Sequence, residues 1–370
     1  MEYKCPNCGG ELHFDPHIHK LKCDFCGNTY EISQFEDHPV HSDHPEAVPG
    51  EAGQPEQSAA DAGFEKATDD STEIKEDLVV YSCPHCGAEV VTDKNTVATS
   101  CVFCHTPMVI EEKAEGKFRP QKVIPFEIDK KQIEQLYEDY IKDKPFYPKE
   151  YSKANVIEKI QAIYLPFWLF DLHMKGHLQA TGEHTHTFYA GDWIVTNHDV
   201  FAISRAGTQS YFRIPVIASS KTPKDAMDSI EPYDYSKLQD YNPGYLPGFL
   251  AQRYDLDDKR VREFSRKRAE NSFNQAMTST IGAYEGLRLT GGDMAPVSVS
   301  AQYALMPVYM LFMDYDADED KLIAINGQTG KVVGNVPVDK HKRNRYFLRW
   351  FLILAVIFLA VALTILLAID

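Results

Sequence analysis

The sequence predicts a multidomain protein in which two small β modules precede an α+β body and one transmembrane helix follows it. Three observations predict this architecture. The same cysteine pattern occurs twice before residue 105, and an unbroken apolar run lies near the end of the 370 residues. Between them, apolar stretches with prolines and glycine-bearing turns are typical of short strands joined to helices.

The cysteine spacing defines the two β modules. All 8 cysteines form C-x2-C pairs, and within each quartet 14 residues separate the two pairs. Two such pairs bring four sulfurs onto one tetrahedral Zn²⁺ ion. We therefore expect zinc ribbons at residues 1–35 and 79–112 with two structural Zn²⁺ ions, whose ligands are Cys5, Cys8, Cys23, Cys26, Cys83, Cys86, Cys101 and Cys104.

Other uses of these cysteines fit the sequence less well. A redox pair would need a βαβ context, and a catalytic zinc would keep one coordination position open. His13, His17 and His19 are surplus to a four-cysteine site. Four aromatic residues are expected to form the small ribbon cores, namely Phe14, Phe25, Tyr30 and Phe103. Cysteines confined to the first part of a chain without a signal peptide favour a reducing cytosol.

An acidic segment separates the two ribbons. Residues 36–78 hold thirteen Asp or Glu against Lys66 and Lys75 and are rich in Pro, Gly, Ala and Ser. Such a segment buries too little apolar surface to offset the entropy of ordering. We expect a disordered acidic linker.

Residues 117–338 predict an α+β body with mainly antiparallel sheet and an internal repeat, with halves at about 117–206 and 207–338. "IYLPFWLFDL" (163–172) resembles "ALMPVYMLFMDY" (304–315), and "KVIPFEIDKKQIEQLY" (122–137) resembles "FRIPVIASSKTPKDAMDSI" (212–230). Chance similarity between apolar strands is the alternative. A capping pair, Asp129 with Gln132, predicts one helix start, and an amphipathic helix is expected around 257–281. Prolines in the strands predict edges or bulges, at Pro125, Pro166, Pro215 and Pro307.

Residues 346–369 predict a transmembrane helix. From Trp350 to Ile369 only Thr364 interrupts the apolar run, which as a helix spans about 30 Å, the thickness of a bilayer core. Basic residues before this run would lie at the membrane surface and keep the N-terminal bulk cytoplasmic, namely Lys340, Lys342, Arg343, Arg345 and Arg349. We expect a single-pass, tail-anchored protein of the cell membrane.

Charge argues against nucleic acid as the partner. The chain carries a net charge of −16, and both ribbon segments are themselves acidic. Binding to nucleic acid depends on Lys and Arg that neutralise phosphates, and the ribbons offer few.

No catalytic motif is found, and the chain is predicted not to be an enzyme. A histidine-rich region could hold a metal or simply alternate polar residues on a half-solvated strand. It comprises His173, His177, His184, His186 and His198, with Asp171, Glu183 and Asp192 close by. Whether it binds anything is left open.

The ordered set of motifs resembles a known family. Two quartets of the "CPNCGG…CDFCG" and "CPHCGAE…CVFCH" type, the phrases "YLPFWLFD", "NPGYLPGFLAQRYDLD" and "INGQTGKVVGNVPV", and the C-terminal helix are similar to bacterial membrane-anchored proteins with a TFIIB-type double zinc ribbon. Some members carry primosomal or helicase labels, which this chain does not support because it has no P-loop. Others are similar to membrane partners of phage shock protein A and of SPFH-type scaffolds.

The sequence and the resemblance together favour a cytosol-facing adaptor. Its ribbons would be mobile docking heads on an acidic tether, and its body a platform next to the membrane lipid. The resemblance implies protein partners such as a phage shock protein A-like or SPFH-type scaffold, and an envelope-stress response. The alternative is a membrane-tethered nucleic-acid binder.

Overall fold

The computed structural model describes residues 3–35, 78–83, 89–101, 106–110, 118–148, 159–316 and 319–369. The predicted linker at 36–78 lies outside these ranges except for its last residue. The described chain has an N-terminal three-stranded sheet, a mixed α+β body and a long C-terminal apolar helix.

The N-terminal module is a small antiparallel sheet. Its strands are β1 (Leu12–Asp15), β2 (Lys20–Cys23) and β3 (Thr29–Tyr30), followed by a 3₁₀ turn at Ile32–Phe35. Leu12, Phe14 and Leu21 alternate inward and are buried, as expected for a half-solvated sheet.

Two short hairpins adjoin Cys83 and Cys101, the described cysteines of the second quartet. The first pairs β4 (Leu78–Ser82) with β5 (Glu89–Asp93), and the second pairs β6 (Thr96–Ser100) with β7 (Pro107–Val109). Strand β6 also pairs with the body, with Ala98 opposite Ala251. The predicted boundary between 79–112 and 117–338 therefore divides segments that backbone pairing joins.

Two long antiparallel strands form the centre of the body. They are β9 (Gln161–Ala190) and β13 (Gly286–Asp316), which contain the two similar apolar phrases and place Leu165 opposite Met306. The short strands β8 (Lys122–Val123) and β12 (Leu250–Gln252) flank them, each in parallel. The remaining strands are β10 (Trp193–Ile217), β11 (Gln239–Asp240), β14 (Glu319–Asn326) and β15 (Val332–Gly334).

The strand pairing differs from the predicted match between residues 122–137 and 212–230. Strands β8 and β12 occupy matching positions, because each runs parallel to one of the two central strands. The segment 212–217, which resembles residues 122–126 in sequence, instead ends β10 and pairs antiparallel with β9.

Pro166 and Pro307 correct the expectation that strand prolines mark edges, because both lie within the central strands. Each sits where the neighbouring strand changes: β9 passes from β10 to β12 at Pro166, and β13 from β8 to β14 at Pro307. The carbonyls of Pro166 and Pro307 accept from the backbone N–H groups of Ala218 and Gly327. Where the neighbouring strand changes, the ladder does not require a backbone N–H from this residue, so proline is tolerated.

Four helices are described: α1 (Lys130–Lys142), α2 (Lys224–Ser229), α3 (Asp258–Ser279) and α4 (Lys340–Ile369). At the start of α1, Asp129 accepts from the backbone N–H of Gln132, and the Gln132 side chain accepts from the backbone N–H of Asp129. The predicted capping pair is confirmed, and α3 lies within the predicted amphipathic segment.

Strands β9, β10 and β13 extend past the body as a three-stranded arm, residues 172–211 and 286–299. Helix α3 covers one face of the arm near the body, where Leu172, Met174 and Leu178 are buried against Val261 and Phe273. On the opposite face, the part of β9 beside α3 carries the polar residues His173, Lys175, His177 and Gln179. This division follows from the two-residue period of side chains along each strand.

Glycine at position 176 allows α3 to pack on the arm. A Cβ at Gly176 would lie 2.7 Å from the carbonyl oxygen of Asp293 and 2.9 Å from the Phe273 ring, whereas a Cβ at Gly207, its neighbour on β10, would lie 3.5 Å from Met277.

Gly176→Ala is therefore expected to lower the free energy of unfolding by about 1–3 kcal/mol. Gly207→Ala is the matched control, with an expected change below about 1 kcal/mol in urea unfolding. Equal losses would contradict this packing.

Candidate metal centre

The four N-terminal cysteines lie on two turns of the same construction, Cys5–Gly10 and Cys23–Asn28. In each turn the backbone N–H of the first residue donates to the carbonyl of the last, at 2.7 and 2.9 Å. The glycine before the last residue donates back to the carbonyl of the first. Gly9 has φ +72° and Gly27 has φ +75°. Glycine adopts this left-handed conformation at little cost, which lets the backbone wrap around the sulfurs.

The four sulfurs converge to a geometry that fits a metal ion. The Sγ atoms of Cys5 and Cys26 are 3.5 Å apart, as are those of Cys8 and Cys23, and all four lie within 4.8 Å of one another. A tetrahedral zinc with Zn–S bonds of about 2.3 Å would set S···S separations of about 3.8 Å. None of these cysteines forms a disulfide. The cluster can therefore bind a metal such as zinc.

The electrostatic environment prepares one thiol for metal binding. Burial disfavours the Cys5 thiolate, but the Tyr30 hydroxyl, at 3.2 Å, and backbone N–H groups outweigh it and lower the pKa of Cys5 to about 6. Cys8 behaves in the opposite way. A backbone hydrogen bond at Gly10 favours its thiolate, but Cys23 and desolvation outweigh that bond and raise the pKa of Cys8 to about 12. A metal ion must displace the Cys8 proton.

The second quartet is described in part. Cys83 and Cys101 are both buried and share one apolar cluster with Val90 and Met108. The backbone N–H of Cys101 donates to the carbonyl of Thr106 at 2.9 Å, five residues on, as in the two turns of the first quartet. Cys86 and Cys104 lie outside the described residues, as does Phe103.

The N-terminal module is docked on the body through Phe14. The backbone N–H of Phe14 donates to the carbonyl of Pro247 at 3.0 Å, and its ring contacts Tyr245 and Phe249 at centroid distances of 5.3 and 6.3 Å. The residues that receive it belong to the phrase "NPGYLPGFLAQRYDLD". The module therefore shares an apolar core with the body. The expectation of a head that moves independently of the body does not match this arrangement.

Polar contacts extend the docking to two other elements. His17 Nε2 lies 2.8 Å from an oxygen of Asp129, the capping residue of α1. The Thr106 hydroxyl, on the second cysteine segment, donates to Glu11 at 2.5 Å. His13 lies 3.4 Å from Asp24 within the module. His13 and His17, which the sequence left without a role, thus contact acidic side chains near the docking surface.

Phe25 corrects one prediction about the ribbon core. It lies between Cys23 and Cys26 and is 89% exposed, although the sequence placed it inside. The turn that holds the two cysteines points this side chain away from the sheet. Phe14, in contrast, is buried at the junction with the body.

The C-terminal helix is long and apolar enough to cross a membrane. Residues Lys340–Ala362 of α4 reach a mean hydropathy of 2.0 and are not buried. The helix begins against the body: the backbone N–H of Asp339 donates to the carbonyl of Phe146 at 2.8 Å, and Lys342 Nζ to that of Tyr147 at 3.1 Å. The five predicted surface residues lie on its first turns, namely Lys340, Lys342, Arg343, Arg345 and Arg349.

The histidine-rich region lies on the arm. His177 contacts Asp293, His198 contacts Glu183, and His173 lies 2.8 Å from the Ser210 hydroxyl. His184 stacks on Tyr284, and His186 lies 3.8 Å from Asp199. Within the described ranges, the N-terminal cysteines alone bring three or more metal-binding side chains together.

The affinity of the N-terminal cluster for zinc is expected to weaken as the pH is lowered. Each thiol that must lose a proton to bind metal weakens binding about tenfold per pH unit. Cys8 must do so throughout, because its pKa is about 12, whereas Cys5, with a pKa of about 6, does so only below that pH. The slope should therefore steepen below pH 6. Competition with a chromophoric chelator between about pH 5 and pH 8 measures it, and a constant slope would contradict these pKa values.

Docking of the module is expected to depend on Phe14 and not on Phe25. Phe14→Ala removes a buried ring between two apolar surfaces and should lower the free energy of unfolding by about 3 kcal/mol. It should also expose the N-terminal amides to hydrogen exchange. Phe25→Ala, in the same module, should change the free energy by less than about 0.5 kcal/mol. Similar effects of the two variants would show that the module is not held through this contact.

Comparison with known proteins gives one relative along almost the whole chain. The chain is 33% identical over 347 residues to the uncharacterized protein YdjG of Bacillus subtilis (strain 168), which covers 94% of this chain and 93% of that protein. No family model matches the chain. No solved structure matches it either. At this identity and coverage, the chain belongs to the YdjG family.

Proposed function

We propose that the protein is a membrane-anchored adaptor that recruits protein partners to the cytoplasmic face of the cell membrane through its zinc-bound N-terminal module. The observation that carries the proposal is Phe25, an aromatic side chain that is 89% exposed on a cysteine turn. Exposed aromatic anchors on rigid supports are typical of protein–protein contacts. The docked position of the module supports this role, because a fixed surface loses less entropy on binding than a mobile one.

The acidic character of the module supports a protein partner over nucleic acid. Residues 3–35 carry Lys4, Lys20 and Lys22 against four acidic residues. Lys20 is already paired with Glu31 at 2.5 Å, and Lys22 lies 3.6 Å from Asp15. Few cations of the module remain for phosphates, so a membrane-tethered nucleic-acid binder is the less favoured alternative.

We propose a second structural zinc held by Cys83, Cys86, Cys101 and Cys104. The buried pair Cys83 and Cys101, and the turn that starts at Cys101, support it. A metal here would tie the β4–β5 hairpin to β6, and β6 is paired with the body sheet. Its role would be to fix the edge of the platform on which the N-terminal module is docked.

The proposal also includes the orientation of the body relative to the membrane and the class of its partner proteins. Basic residues on the first turns of α4 favour a cytoplasmic body and contact with anionic lipid. The resemblance to membrane partners of phage shock protein A and SPFH-type scaffolds favours proteins of that kind in an envelope-stress response.

Recovery of partners from gently solubilised membranes tests the adaptor role. Phe25→Ala should lose the recovered proteins while zinc content and membrane insertion stay as in the native chain. Ile18→Ala is the matched control, because Ile18 is an exposed apolar residue on the opposite turn of the same module. Cys5→Ser and Cys83→Ser should also reduce recovery, each with loss of about one zinc.

Nuclease treatment distinguishes the alternative. Proteins that remain after nuclease and disappear with Phe25→Ala would support the adaptor. Recovery that depends on nucleic acid, or that is unchanged in Phe25→Ala and both cysteine variants, would overturn it.

A further inference from the structure

The two edges of the arm differ in a way that points to a binding surface. Along β13 the edge is interrupted by register shifts between Leu289 and Gly291 and between Pro296 and Ser298. Gly292 has φ +142°, and proline removes a donor. Bulges, proline and glycine are the features that prevent a sheet edge from pairing with another chain.

The β10 edge has neither bulge nor proline from Trp193 to Tyr211, and its one glycine there, Gly207, leaves the register unbroken. Its only Asp, Glu, Lys or Arg residues in this stretch are Asp199 and Arg205. Among the described strands, β10 pairs with β9 alone. A long, regular strand therefore presents backbone groups that no described strand pairs, which is the template for adding another strand. The carbonyl of Ser204 accepts from Arg205 Nη1 of the same strand at 2.9 Å, a side-chain contact that an added strand would replace.

Exposed apolar side chains accompany the free edge. Trp193 is 77% exposed and Val200 66%, and Ile194 and Phe201 are exposed as well. These residues lie in the half of the arm toward its tip, beyond the part that α3 covers. Trp193 and Phe201 lie on the α3 side of the sheet and Ile194 and Val200 on the other side, because successive strand residues alternate between faces. Both faces beside the free edge thus carry exposed apolar side chains, which are typical of interaction sites.

We propose that β10 pairs antiparallel with β10 of a second copy of this chain, about a two-fold axis at Ala202. Ala202 is the midpoint of the uninterrupted stretch from Trp193 to Tyr211, so this register uses all of it. Antiparallel pairing of identical strands gives the self-complementary interface of a two-fold dimer.

Backbone geometry is compatible with this register. A two-residue turn, Gly191 and Asp192, joins Ala190 to Trp193. The residues flanking such a turn bond each other across the hairpin, so odd-numbered residues of β10 direct their backbone groups to β9. Even-numbered residues direct theirs to the free edge. An axis at Ala202 pairs even-numbered residues with even-numbered residues, as an added ladder requires.

The side chains that meet in this register are complementary. Asp199 comes opposite Arg205 of the second copy, and Arg205 opposite Asp199 of the second copy. Phe201 meets Ile203, and Trp193 meets Tyr211, on the same face. No like charges oppose each other. Aromatic, apolar and opposite-charge pairs across strands stabilise a sheet, whereas like charges destabilise it.

The same register covers the exposed tip. Ile203 is buried under α3, whereas Phe201 is exposed. Because the strands run antiparallel, the tip half of each arm lies beside the α3-covered half of the other. The two bodies, each with its helix α4, then stand at opposite ends of the paired arms.

Cysteine cross-linking of the full chain in its native membrane tests the contact. Ala202→Cys places two thiols at the proposed axis, where opposed Cα atoms lie about 5.5 Å apart, within reach of a disulfide or a short bismaleimide. Ala295→Cys is the matched control, an exposed alanine on the β13 edge. Cross-linking of the native chain, without either substitution, gives the background from its own cysteines.

A dimer with Ala202→Cys and none with Ala295→Cys is expected. Equal cross-linking at both positions would indicate random collision and overturn the proposal. A monomer in both variants, or a cross-link from position 202 to a different protein, would also overturn it.

A charge exchange tests the register independently. Asp199→Arg and Arg205→Asp each place like charges opposite each other twice per dimer and should weaken dimerisation about tenfold. The double variant restores opposite charges and should recover dimerisation to within about threefold. Sedimentation in detergent measures both. Double-variant dimerisation as weak as in the single variants would overturn the register at Ala202.

Discussion

The antiparallel pairing of β9 with β13 is the constraint on which the rest of the structure depends. These strands pair from Gln161 to Glu183 with two register shifts on β13, and every other strand of the large sheet attaches directly or indirectly to one of them. On the β13 side lie β8 and β14, and on the β9 side lie β10 and β12. In the arm, where α3 covers one face, a shift of one residue would move the buried side chains of β9 to the exposed face, so the apolar pattern fixes the register strongly there.

The candidate metal centre depends on that pairing through β12. Strand β12 attaches to β9 and holds β6 of the second cysteine segment on its other side. The residues just before β12 receive Phe14 of the N-terminal module. A module of about 30 residues has little core of its own, so metal ligation and docking on a larger body together supply what it lacks. The cysteine turns and the central strands thus belong to one cooperative packing arrangement.

Several features followed from local sequence rules. The N-terminal cysteine cluster and the capping pair Asp129 and Gln132 depend on residues a few positions apart, and the structure has both. The apolar C-terminal helix was also evident, because its length and composition suffice to identify it. The role of Pro166 and Pro307 was predicted wrongly, because a change of neighbouring strand within one ladder leaves no local trace in the sequence.

The sequence by itself determined which residues form the candidate metal centre at the N-terminal cluster, which helix is apolar enough for a membrane, and that the body mixes helices with antiparallel strands. These depend on spacing and periodicity, which act over short distances. Only the tertiary structure decided that the N-terminal module is docked through Phe14, that Phe25 faces solvent, and that β10 leaves a regular edge free. Docking depends on contacts between segments a hundred or more residues apart, and the free edge on the absence of a neighbour among the described strands. The exposure of Phe25 depends on how its cysteine turn is oriented on the sheet. Local propensity carries no information about these three features.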